Sequence, residues 1–549
     1  MRSKARIVAT IAFAVAAALF ALHVAATAAY LTRPPDNDEV ETLHTAWLSS
    51  QGLQIFRDYF EHHPTLLHEL AKALIPTGTS GGFPRLDVVT FTVKLRVLMG
   101  VLGMLAVLAV AAVSYRISRS MVAPIVVIAS LLGSHWVWLR GVADVRIEPL
   151  ALMTTWLAVL LVFFSRQVSL RGAVSLGAGL GLLGVSVVCC PKWPFVTLVI
   201  GLAGLAGLVR LWRERRALVL VAAAIALPMV ALTLLVMFRE AHFVDYWVHV
   251  IQFNSANAKY WMKLPHLVEP NLFIPFFFCS LPFSGWTPVV LVGVVVLGLA
   301  WRRVAILWGV DRRAGLWALA LFVAAALELR FVFVYPRLWP QYYLMWSYTL
   351  AAVYGCAASA FAALAASLLR PRLYLVLLFA SELAACLFWV AYDWQFFDSH
   401  PGLPDSHVWH WRSMSYLQRE LRPGERVWLP ATYHPVAALD DSYYWFVLVD
   451  VVPSAMEFAK AHPGSYPPLT ERDLPPCRLV EGRAPNLRFL TAFEEGFVNT
   501  PTLERCMQQL REKELLCRTP LAFIFEVRAK HAGSDCIPVT TRPGSTLPL

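Results

Sequence analysis

A chain of 549 residues that is 58% hydrophobic and only 15% charged carries more apolar surface than one water-soluble core hides. A formal net charge of +11 would suit a nucleic-acid binder. The arginines, however, sit in short clusters between apolar runs, as the positive-inside rule expects, so nucleic acid is set aside as a partner and membrane lipid is the expected solvent.

Arg2, Lys4 and Arg6 precede an apolar run from Ile7 to about Leu31. Ala26-Thr27-Ala28 would suit signal cleavage. The run is longer than the roughly 7–15 residues of a signal core, so a retained first span with a cytoplasmic N-terminus is expected. Further runs of spanning length follow near 93–114, 121–139, 149–164, 172–190, 194–211, 217–238, 274–300, 314–334, 341–366 and 373–392. The run at 274–300 carries Pro275, Pro282 and Pro288, which predicts a kinked or partly re-entrant segment.

The loops predict orientation. Arg116 and Arg119, Arg166 and Arg171, Arg210 to Arg216, Arg302 to Arg313, and Arg370 with Arg372 follow every even-numbered span, which makes those loops cytoplasmic. The expected fold class is a polytopic all-α membrane protein of about 11 transmembrane helices with a small C-terminal mixed α/β soluble domain. Residues 1–392 form the membrane domain, with an external loop at 32–92, and residues 393–549 form an extracytoplasmic domain.

In the tail, 410–422 and 501–515 read as helices, and 425–431 and 521–527 as strands. Cys477, Cys506, Cys517 and Cys536 allow three pairings in an oxidising compartment, or remain free thiols; the other cysteines lie in apolar runs.

The first external loop holds the densest chemistry. Asp36, Asp38, Glu39 and Glu41 open it, and Val40, Leu43, Trp47 and Leu48 recur at helical spacing, predicting an amphipathic helix on the interface. Asp58, Glu61, His62 and His63 follow, then Pro64 and a second helix through Leu74. Carboxylates beside histidines combine a base with a phosphate partner; the blander alternative is a solvated acidic loop. A metal site from His44, His62, His63 and His68 matches no standard spacing. Three later features stand at predicted external boundaries. Arg146 and Glu148 form an ionisable pair where a span begins, which reads as functional or as a local ion pair. Lys192, in CCPKWP, and Arg337, in YPRLWPQYY, are isolated cations suited to a lipid phosphate or to interfacial anchoring.

The segments DEVETLHTAWLSSQG and FRDYFEHHPTLL resemble the first external loop of bacterial type-C glycosyltransferases. That superfamily includes protein O-mannosyltransferases, lipid A aminoarabinose transferase and lipopolysaccharide-core galacturonosyltransferases. Asp38-Glu39 and His63-Pro64 match its loop pattern. DVRIEPLAL resembles a later element that is usually Arg-Pro-Asp; here Arg146-Ile147-Glu148 stands instead. PKWP and YPRLWPQYYLMW also look like family elements.

The resemblance implies inverting transfer of a sugar from a polyprenyl-phosphate carrier to an envelope glycan, lipid or protein acceptor outside the membrane. It implies Asp38 as general base, Glu39 beside it, and Glu148 as an orienting carboxylate. His63, Arg146, Lys192 and Arg337 would then serve substrate and phosphate binding. No cofactor is required. A divalent cation is left open, with Asp38, Glu39 and Glu148 as oxygen donors. A lipid transporter and a non-catalytic scaffold are the alternatives; charges gathered at one face rather than at mid-membrane argue against transport.

Overall fold

The computed structural model describes residues 37–75, 88–132, 141–142, 144–165, 167–239, 242–256, 312–334 and 344–368. In the tail it describes 416–417, 419–422, 425–428, 458, 460–464, 466, 480–482, 487–491, 508–521, 524–530 and 536–538. The expected spans at 7–31, 274–300 and 373–392 lie outside the described residues.

Most of the described chain is helical. Among the described residues, five helices are long and apolar enough to cross a membrane. They lie within α3 (Val88–Ser118) and in α5 (Ile147–Phe164), α6 (Leu170–Cys189), α7 (Pro194–Glu214) and α8 (Arg216–Met237). Their bounds follow hydropathy and capping. Ser169 accepts from Gly172 N at 3.2 Å to start α6. Pro194 opens α7, where a missing N–H is harmless. The shorter helices α1 (Asn37–Ser50), α2 (Leu66–Lys72) and α4 (Val122–Leu132) precede α5. The short α9 (Phe243–Tyr246), which runs into a π-helical turn at Trp247–Gln252, and then α10 (Arg312–Val334) and α11 (Leu344–Leu368) follow α8.

The chain divides into two compact units. The first comprises Met1–Leu31, Arg96–Val236 and Trp261–Pro401. Within it, α6 packs along α5 and α8 at backbone distance. A Cβ on Gly179 would stand 2.7 Å from Val162 Cγ2, and one on Gly177 would strike the Ala222 carbonyl, so only glycine fits. Thr155 and Ser186 share a 2.6 Å hydrogen bond across the α5–α6 contact. On α8, Leu220, Leu227 and Leu235 are exposed, an arrangement suited to lipid rather than water.

The second unit comprises Thr32–Leu95, Met237–Tyr260 and Gly402–Leu549. The loop expected at 32–92 and the tail from Gly402 onward thus fall in one unit. Its sheet has β1 (Arg426–Trp428), β2 (Leu487–Thr491), β3 (Leu516–Arg518) and β4 (Ile524–Val527) in the order β1-β2-β4-β3. β1 and β2 are parallel, and the β2–β4 and β3–β4 pairs are antiparallel. Leu417, Leu421, Val427, Phe489 and Ile524 pack as its core. Cys517 and Cys536 form a disulfide, whereas Cys477 and Cys506 lie outside the described residues.

One local expectation changes. α1 is buried from Glu41 to Ser49 rather than lying half exposed on an interface. Its polar residues are used: Thr45 Oγ1 donates to Glu61 Oε2 at 2.6 Å, and Ser49 and Tyr59 share a 2.7 Å bond. Tyr59 and Glu61, later in the loop, supply partners that helical spacing alone does not reveal.

Candidate functional site

In the first unit, Arg146 adopts extended backbone just before α5, and Glu148 falls in that helix's first turn, where the helix dipole favours a carboxylate. The turn between α6 and α7 returns Lys192 to the same end. Lys192 Nζ lies 2.6 Å from Glu148 Oε1, and Arg146 Nε lies 3.5 Å from Glu148 Oε2. Arg146 and Glu148 are buried, whereas the Lys192 side chain is 29% exposed. Two cations on one buried carboxylate make a poor place for a metal ion, which removes Glu148 from the oxygen-donor set considered above. They make a good place for a phosphate, reached through Lys192.

Glu328, on α10, was not singled out by sequence reading. Its Oε1 accepts from Phe195 N at 2.7 Å and Val196 N at 3.1 Å, capping the first turn of α7 from another helix. It therefore fixes the turn that carries Lys192. The available signal was a lone acid in an apolar run.

The second unit gathers a different set. Asp38 lies in the first turn of α1, and its side chain is outside the described residues. Glu39 is buried. Glu41, fully buried, faces two histidines: His62 Nδ1 is 3.0 Å from Oε1 and His63 Nδ1 is 3.1 Å from Oε2. Glu61 Oε1 lies 3.1 Å from His63 Nδ1 and accepts from the backbone N–H of His62 and His63 at 2.7 and 2.8 Å. Asn254 Nδ2 donates to His62 O at 2.7 Å, and the His62 ring packs against Phe60 and Phe253. His249, in the π-helical turn, stacks on Phe56 and meets Tyr466 at a tilt.

Burial opposes ionisation of Glu41, yet His62 and His63 hold its carboxyl well below the usual carboxylate range. Burial also works against the charged form of His63, but Glu41 and then Glu61 raise it well above its ordinary value. His68, whose Nε2 is 3.5 Å from Glu61 Oε2, is pushed down to about 4, chiefly by burial.

Of the histidines considered for a metal, His62 and His63 converge, joined by Glu41 and Glu61 rather than by His44 and His68. Arg337 lies outside the described residues. The chain matches no protein-family model, and no curated protein shows significant similarity to it.

Proposed function

We propose that the protein is a multi-pass membrane glycosyltransferase that moves a sugar from a polyprenyl-phosphate carrier to an envelope glycan, lipid or protein. Its active site and tail would face the extracytoplasmic side. The observation that carries this reading is the meeting of Arg146, Glu148 and Lys192, from two distant stretches of sequence, at the end of apolar helices. A donor with its tail in lipid and its phosphate at the surface needs cations at that level.

In the transfer that the sequence resemblance implies, Asp38 takes the proton of the acceptor hydroxyl, whose oxygen bonds to the anomeric carbon. The bond from that carbon to the phosphate oxygen breaks, and its electron pair leaves on polyprenyl phosphate. Lys192 and Arg146 neutralise that phosphate, with Arg337 in a supporting role. Glu148 holds the two cations in place, and Glu39 flanks the base.

The test is Asp38→Asn in purified full-length protein, following polyprenyl phosphate released from envelope lipid extract. Loss of release with unchanged folding supports the proposal; wild-type release removes Asp38 from the mechanism.

A further inference from the structure

We propose that Glu41, Glu61, His62 and His63 form a closed binding site for a zinc-class divalent cation, which pins α1 to the segment that follows it. This site does not rest on the glycosyltransferase reading; it takes His63, which the resemblance would give to phosphate binding, as a metal ligand instead.

One ligand atom from each of the four residues can be chosen so that all lie within 4.8 Å of one another. His62 Nδ1 is 3.0 Å from one Glu41 oxygen and His63 Nδ1 3.1 Å from the other, while Glu61 Oε1 lies 3.1 Å from His63 Nδ1 and 4.0 Å from His62 Nδ1. Tetrahedral zinc with bonds of about 2.0–2.1 Å separates its ligand atoms by about 3.3 Å, within this range. Two carboxylates and two neutral imidazoles also balance a dication, which a buried site requires.

A second observation points the same way. Both oxygens of Glu41 are fully buried, and neither has a hydrogen bond among the described residues, although two imidazole nitrogens stand at ion-pair distance. A buried carboxylate normally accepts several hydrogen bonds. Two imidazole nitrogens at 3.0 and 3.1 Å from a buried carboxylate whose oxygens lack well-formed hydrogen bonds stand where fellow ligands of a shared centre would.

The surroundings orient the ligands as metal sites require. Thr45 Oγ1 and two backbone N–H groups hold Glu61, and Asn254 anchors the His62 carbonyl. Nitrogen and oxygen donors without thiolate favour zinc and its first-row neighbours over calcium or magnesium. Four protein ligands leave no open position, so the role is structural. The His63 side chain, 29% exposed, gives the ion a way in.

Full-length protein in detergent, stripped with chelator and reloaded with Zn²⁺, should bind about one zinc per chain and unfold at a higher temperature than the stripped form. Co²⁺ should give visible absorption of tetrahedral intensity. Glu41→Gln, nearly isosteric, should weaken zinc about a hundredfold or more, whereas Lys192→Met should leave the stoichiometry unchanged. Monodisperse wild-type protein that takes up no zinc and shows no thermal shift would overturn the proposal. So would wild-type zinc affinity in Glu41→Gln, or loss of zinc in a folded Lys192→Met protein.

Discussion

Replacing Lys192 with methionine keeps a long, flexible stem and removes the charge that lies 2.6 Å from Glu148. Glu148 is then left with Arg146, whose Nε is 3.5 Å away. Breaking a fully buried pair costs about 3–5 kcal/mol, because one charge stays uncompensated. Lys192 is 29% exposed and Arg146 remains, which reduces the expected loss to about 2 kcal/mol, roughly thirtyfold in the unfolding equilibrium. Glu148→Gln in the same background removes the stranded charge, so the double variant should recover part of the loss. The coupling expected from a double-mutant cycle is about 1–3 kcal/mol. Denaturant unfolding of the four proteins in one detergent measures it. Losses that simply add within about 0.5 kcal/mol would refute the reasoning and reduce the contact to a surface pair.

Other consequences are equally specific. Glu328→Gln keeps an acceptor for the first turn of α7 and should be near neutral, whereas Glu328→Ala removes the acceptor of one buried and one part-buried N–H and should cost about 1–3 kcal/mol in the same assay. Gly177→Ala drives a Cβ into the Ala222 backbone and should destabilise by about 1–3 kcal/mol. Gly201→Ala meets only Leu183 Cδ2, at 3.8 Å, and should be neutral or mildly stabilising by thermal unfolding. In the tail, Arg488 binds Glu425 at 2.8 Å and Glu526 at 2.9 Å, and despite partial burial it holds the Glu425 carboxyl below its ordinary value. A depressed folded value means that this contribution is complete above the unfolded value of about 4.3 and is lost as pH falls below it. Protease resistance of the tail should therefore fall from pH 5 to about pH 3 in the wild type, and Arg488→Met should flatten that fall.

The helices were legible because hydropathy alone sets them: the runs at 149–164, 172–190, 194–211 and 217–238 lie within three residues of α5 to α8 at each end. The tail was less so. β2 and β3 are short, at 5 and 3 residues, too few for alternation to stand out, and the Cys517–Cys536 pairing is one of three that spacing permits. Arg146, Glu148 and Lys192 each stood out as charges at membrane boundaries. Their meeting depends on how α5 to α7 pack, which no local pattern encodes. Glu41 and Glu61 resembled ordinary members of a solvated acidic loop, because burial comes from the fold and not from the residues themselves. Glu328 hid in an apolar run, since its partners are backbone groups of another helix.

The central claim is sugar transfer from a polyprenyl-phosphate donor, and mass spectrometry of envelope glycans and lipids tests it most directly. Cells lacking the gene, and cells carrying Asp38→Asn, should lose one sugar decoration and accumulate the undecorated acceptor with its polyprenyl-linked donor. An envelope unchanged by deletion, or a decoration fully restored by Asp38→Asn, would contradict the account.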